Sequence, residues 1–160
     1  MTRQEEQINA FLVNVFNDVL RLEEENLRCL GGKRLSVSEM HVLEAVQQQG
    51  EADVTMRQLA AGLGVTASTL TIAVKTLERK GYLVRLRPLP DKRRVVVQLT
   101  EPALRALEAH ARFHEALVHQ VSTRLTGPEL DALCQALARL HGFFTELSGE
   151  TGQPGPKQAS

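Results

Sequence analysis

Residues 56–80 read MRQLAAGLGVTASTLTIAVKTLERK, and two short helical patterns meet inside this stretch at a tight turn. Leu59, Ala60 and Leu63 form the apolar side of the first pattern. Leu70, Ala73, Val74 and Leu77 recur at helical spacing in the second. Gly64 stands at the turn, where only glycine takes a positive φ without a Cβ clash. Thr66 is placed to N-cap the second helix, and small Ala60 lets the two helices cross closely. The spacing predicts a helix-turn-helix, whose second helix enters a DNA major groove. Thr66, Ser68, Thr69, Thr71 and Lys75 occupy its polar side, with Arg57 contributed by the first helix. Side chains of this size let a helix approach base edges and phosphates.

Residues 83–100, LVRLRPLPDKRRVVVQLT, follow directly. The β-prone runs Leu83–Arg87 and Arg94–Leu99 flank a turn holding Pro88, Pro90 and Asp91. This predicts a β-hairpin, or wing, with Lys92, Arg93 and Arg94 near its tip and Arg87 at its base. A helix-turn-helix followed at once by a basic hairpin is far more specific than either part alone.

Charge supports the same reading. The chain of 160 residues is neutral as a whole, yet residues 55–98 hold nine Lys/Arg against two acids, Glu78 and Asp91. A basic block in a neutral chain is an electrostatic footprint for phosphate. Two cysteines, Cys29 and Cys134, make no disulfide framework and point to a reducing cytoplasm. No signal peptide is evident, and no apolar run is long enough to span a bilayer, so no membrane partner is expected.

Outside the head, residues 4–30 form a long amphipathic helix with Ile8, Phe11, Leu12, Val15, Phe16, Val19, Leu22 and Leu27 along one face. Gly31-Gly32 ends it, and Ser36 or Ser38 starts a second helix. Thr100 is placed to cap a fifth helix, whose apolar side runs Leu104, Leu107, Ala111, His114, Val118, Val121 and Leu125. A sixth helix opens at Thr126 and continues to Leu147, with Cys134 on its apolar side as core packing. The expected organisation is one domain, 1–147, mainly α with a small β-wing. Its DNA-binding head spans 36–100, helices 4–30 and 101–147 serve dimerisation, and 148–160 read as a disordered tail. Pairing the wide apolar faces across a two-fold axis would cover them and present two reading heads to a palindromic duplex, which predicts a homodimer.

Order and motifs over residues 4–147 resemble the MarR family of transcription regulators, through LAAGLGVTASTLTIAVKTLERKGYL, the wing DKRRVVVQLT and the flanking helices. The resemblance implies a winged-helix dimer whose recognition helices enter successive major grooves while wing arginines reach the minor groove. Asp91 and Arg93 match the family's Asp-x-Arg, in which the aspartate orients a nearby arginine; whether Arg93 or Arg94 enters the groove stays open. LVNVF, RLEEENLR, SEMHVLE, LERKGYL, RRVVVQLT and RFHEALV resemble the branch that represses fatty-acid synthesis genes, which implies long-chain acyl–acyl carrier protein as co-repressor.

His110 and His114 stand one helical turn apart, a spacing that can chelate one metal. With Glu24 and His41 they match the Glu, His and His-x-x-x-His arrangement of the zinc-responsive branch, so the resemblance also implies zinc. The alternative is that these four groups hydrogen-bond one another beside the dimer interface. Phe11, Phe16, Phe113, Phe143 and Phe144 read as core or interface, or as the lining of an acyl-chain tunnel. Cys29 reads as a small half-buried side chain, or as the reactive thiol of peroxide-sensing relatives. The chain has no His-Glu-x-x-His, no Gly-x-Ser-x-Gly and no phosphate-binding glycine loop, so it does not read as an enzyme. A helical interaction protein that does not bind DNA is the remaining rival, and the basic wing argues against it.

Overall fold

The structure, a computed structural model, describes residues 1–50, 54–87 and 95–151. It divides into two compact units, Met1–His114 and Glu115–Ser160. The first holds α1 (Arg3–Cys29), α2 (Val37–Gln48), β1 (Val54–Thr55), α3 (Met56–Leu63), α4 (Ala67–Lys80), β2 (Leu83–Leu86), β3 (Val96–Leu99) and the first turns of α5 (Glu101–Ser122). The second holds the remainder of α5 and α6 (Gly127–Thr151).

Local chemistry starts each helix. Thr2, Ser36 and Thr55 cap α1, α2 and α3, each in a capping box with Glu5, Glu39 or Gln58. Ser36 therefore starts α2, not Ser38. Thr66 caps α4 by accepting the Thr69 N–H at 3.2 Å. Gly64 ends α3 at φ 63°, ψ 29°, where its N–H satisfies the carbonyls of Ala60 and Ala61. Thr100 stands just before α5 as expected, its carbonyl accepting the Leu104 N–H at 3.0 Å. Its hydroxyl donates to the Gly81 carbonyl at 2.7 Å and to that of Tyr82 at 3.1 Å, tying the end of β3 to the end of α4.

The strands form one antiparallel sheet in the order β1-β3-β2, with Leu83 opposite Leu99 and Leu86 opposite Val96. The wing hairpin is thus present. Strand β1 pairs Val54 with Val97; two residues carry no readable alternation, which is why the sequence does not announce it. The core joins Leu27 of α1, Met40 and Leu43 of α2, Leu59 of α3, Leu70, Val74 and Leu77 of α4, and Leu107 of α5. Of the apolar stripes expected for α3 and α4, Leu59, Ala60, Leu70, Val74 and Leu77 are buried, and Leu63 and Ala73 are partly buried against the same core.

Within a single chain α5 buries Ala103, Ala106, Leu107 and His110 and leaves Leu104, Val118 and Val121 of its expected apolar side exposed, as a face reserved for pairing would be. Expectations about the cysteines and phenylalanines of the long helices are corrected. Cys134 is exposed rather than core, and Cys29 is exposed rather than half-buried. Phe11, Phe16, Phe143 and Phe144 are exposed within a single chain and so are not core. In the first unit the α1 side chains Ile8, Phe11 and Phe16 lie at the surface. In the second unit Leu137, Leu140 and Phe143 of α6 do the same. Apolar surface on this scale marks an interaction face. Among the described residues no single helix is long and apolar enough to cross a membrane.

Candidate nucleic-acid interface and buried histidine cluster

Helix α4 presents one face to the core and the other to solvent. Leu70, Val74 and Leu77 are buried. Ser68, Ile72, Lys75 and Arg79 recur three or four residues apart and are all exposed, so they form one ridge on the outer face. Ile72 is 67% exposed, an apolar side chain that the apolar stripe does not use and that the sequence reading passed over. Its place in the helical phase was the signal, because it falls between Ser68 and Lys75 on the polar side. Apolar side chains at such positions contact thymine methyl groups.

The polar candidates separate by the bonds they make. Thr66 and Thr69 exchange a hydroxyl–hydroxyl bond of 2.9 Å at the helix start. Thr71 is half-buried and donates to the Ala67 carbonyl at 2.7 Å. These hydroxyls help build the helix end. Ser68, Lys75 and Arg57 lie exposed, as does Arg87 beyond β2. Nearby, Arg85 grips the Glu78 carboxylate with Nε at 2.9 Å and Nη2 at 2.6 Å. Those bonds hold the Glu78 carboxyl below its ordinary range and fasten β2 to the end of α4. The candidates Asp91, Lys92, Arg93 and Arg94 lie outside the described residues.

The candidate metal residues come together only in part. His110 is 2% exposed, and its Nε2 lies 3.0 Å from His114 Nε2. His114 Nε2 in turn stands 3.4 Å from Glu23 Oε1. Glu23, His110 and His114 form the Glu/His/His group whose ligand atoms lie within 4.8 Å of one another. Glu24 does not join them; it is exposed and pairs with Arg28 at 3.6 Å. Helical phase explains the difference, since Glu23 shares a face with buried Leu27 one turn later. Glu24 points about 100° away. His41 is exposed and outside that group, although its charge still reaches His110. Glu44 of α2 stands 3.5 Å from His110 Nε2, a neighbour that the sequence did not single out.

Burial pushes the His110 pKa down, the charge of His114 adds to this, and Glu23 opposes it. Burial outweighs the Glu23 carboxylate because nearly the whole ring is withdrawn from water. The Nε2–Nε2 contact requires one ring nitrogen to carry the proton and the other to accept it. His110 Nδ1 is buried with no hydrogen-bond partner among the described residues. The donor set suits zinc, which takes carboxylate oxygen and imidazole nitrogen. The unpartnered Nδ1 departs from the usual metal site, in which the second ring nitrogen of a ligating histidine is held by an acceptor.

Within the first unit a cavity of about 550 Å³ opens between the α1–α2 connection, Tyr82 and α5. Leu30, Pro102 and Ala106 give it apolar walls, and Lys33, Lys80 and Arg105 line it as cations.

A helix-turn-helix backed by a three-stranded sheet with a β2–β3 hairpin defines a winged-helix protein. Residues 35–94 match the MarR family model. The crystal structure of Streptococcus pneumoniae FabT in complex with DNA superposes with a TM-score of 0.83 at 35% identity, covering 89% of this chain and 99% of that one. Transcriptional regulator AdcR of Streptococcus pneumoniae is 29% identical over 89% of this chain and 98% of its own. The S. aureus MepR–DNA complex shares the fold, with a TM-score of 0.66 at 17% identity over 81% of this chain and 91% of that chain. This chain belongs to the MarR family of transcription regulators.

Proposed function

We propose that the protein is a homodimeric, sequence-specific repressor that reads palindromic double-stranded DNA with α4 and the wing, and that acyl–acyl carrier protein tunes it at fatty-acid synthesis genes. The observation that carries the DNA-binding part is the exposed ridge of α4, Ser68, Ile72, Lys75 and Arg79, on a helix whose opposite face is locked into the core. Arg57, Thr66, Thr69, Thr71 and Arg87 flank that ridge in this reading. Lys92 and Arg93 or Arg94 reach DNA from the wing, with Asp91 orienting the arginine. The exposed apolar surfaces on α1 and α6 support dimerisation. Residues 1–147 then act as one domain with its head at 36–100.

Two observations support the effector. Likeness to FabT extends over the whole of that chain, in keeping with the sequence resemblance to the fatty-acid branch. The cavity beside the α1–α2 connection combines apolar walls with Lys33, while Lys80 and Arg105 there are paired with Glu39 and Glu101; the apolar walls suit the acyl group and Lys33 its anionic carrier. Differential affinity of the carrier for the operator-competent dimer would set occupancy.

A zinc-responsive regulator is the second reading, favoured by the convergence of Glu23, His110 and His114. In it Glu23 replaces Glu24 as the carboxylate ligand. The metal would fix the geometry of α1 against α5 within the first unit.

Fluorescence anisotropy on the duplex upstream of the protein's own gene tests both readings. The protein is measured in chelator, with zinc restored, and with long-chain acyl–acyl carrier protein. Tightening by the acylated carrier alone supports the lipid-synthesis repressor. Tightening by zinc alone, lost in His110→Ala, supports the metal sensor. No affinity for any duplex would leave a helical interaction protein.

A further inference from the structure

The α1–α2 connection, residues 30–36, is bound to the C-terminal end of α4 by a reciprocal set of polar ties. Lys33 Nζ donates to the Arg79 carbonyl at 3.1 Å. Lys80 Nζ donates back to the Arg34 carbonyl at 2.7 Å. Tyr82 Oη donates to the Lys33 carbonyl at 2.6 Å. Gly32 lets the connection pass this close: its φ is +101°, and a Cβ there would stand 3.3 Å from Tyr82 Oη. Lys80 Nζ also reaches both carboxylate oxygens of Glu39 at 2.7 Å. These two side chains are 25% and 12% exposed, so water screens the pair weakly.

The apolar face of α4 holds the helix against the core without fixing its exact roll or slide, because apolar contact is non-directional. Charge-assisted hydrogen bonds are directional. They sit here at the end of α4 opposite Thr66, where cations also meet the negative end of the helix dipole. We propose that Glu39 and Lys80 are positioning residues for operator recognition. The pair fixes the pitch of α4 against the connection and so against the end of α1. Neither residue needs to touch a base. This inference rests on the reading of the chain as an operator-binding protein.

Glu39→Gln separates positioning from simple electrostatics. Glutamine keeps the capping box that Glu39 makes with Ser36 at 2.8 and 3.2 Å and removes one negative charge. Field effects alone would therefore tighten DNA binding, whereas loss of positioning loosens it. Lys80→Met keeps the apolar stem and removes the donor.

The test uses the full chain and two duplexes, one selected from random DNA by the wild type and a scrambled version of it. Anisotropy is recorded across salt concentrations, and circular dichroism follows folding. Glu39→Gln should weaken the selected duplex about tenfold, the size of one charge-assisted bond, with an unchanged salt slope. Its affinity for the scrambled duplex should hold or rise. Lys80→Met should lose a similar factor on the selected duplex, and Lys80→Arg should recover most of it. The double variant should be no weaker than the worse single, since both remove one interaction. Unchanged or tighter binding of the selected duplex by Glu39→Gln overturns the positioning role, as do additive losses. Should Lys80→Met fail to fold, Glu39→Gln and Lys80→Arg decide the matter. Equal wild-type binding to both duplexes defeats the operator-binding reading itself, and the positioning role with it.

Discussion

Replacing Ile72 by alanine tests whether the outer ridge of α4 reads bases. Ile72 is 67% exposed in the free protein, so about two thirds of its apolar surface remains for DNA to cover. Full burial of such a side chain contributes about 1.5–3 kcal/mol, which leaves about 1–2 kcal/mol to be gained on the duplex. Alanine retains Cβ, so the lower figure of about 1 kcal/mol per protomer applies. A two-fold dimer doubles this to about 2 kcal/mol, or roughly thirtyfold in affinity. Folding should be nearly untouched, within about 0.5 kcal/mol, because the site is exposed and alanine favours helix. Anisotropy on a selected and a scrambled duplex, with a thermal melt beside it, reads all of this. The loss should appear on the selected duplex alone, at an unchanged salt slope, since no charge is altered. Full retention of affinity in a folded variant, or an equal loss on both duplexes, would refute the placement of this ridge against base edges.

Lys75→Met should weaken both duplexes alike and lower the salt slope by about 0.9 for each phosphate that the lysine neutralises; an unchanged slope would mean that Lys75 neutralises none. Glu23→Gln should abolish any zinc uptake measured by metal analysis, while Glu24→Gln leaves it intact, and the opposite pattern would restore Glu24 as the ligand. In chelator, melting temperature should fall as pH drops below about 6.5. The His110 pKa is depressed in the folded chain, so the unfolded chain binds the proton first. The stabilisation is complete above the unfolded pKa and is lost as pH falls through the folded one. His110→Gln should flatten that slope, and a wild-type melt independent of pH would show that burial of His110 is not coupled to folding.

The head was legible in the sequence because its determinants are local. Gly64, Thr66 and the spacing of Leu70, Val74 and Leu77 each act within a few residues, and turn chemistry and helical period are short-range properties. The wing strands were legible through the valines of β3 for the same reason. Strand β1 was not, because Val54 and Thr55 are strand only by pairing with β3. The long helices were legible as helices, whereas the face each one buries was not. Helix α5 carries apolar residues on more than one side, and packing chose Ala103, Ala106, Leu107 and His110.

The histidine cluster marks the boundary most clearly. His110 and His114 could be paired from a spacing of four, a distance set by the helix itself. One carboxylate partner, that of His114, comes from α1, more than eighty positions earlier, and only the tertiary structure decided between Glu23 and Glu24. The Lys80–Glu39 bond joins residues 41 apart, with no pattern in the chain linking them. The sequence by itself determined the fold class and the helix-turn-helix, since backbone geometry and period act locally. Tertiary packing decided which charged side chains meet, because that depends on the rotation of each helix about its own axis, and one residue of phase separates a solvated carboxylate from a buried one.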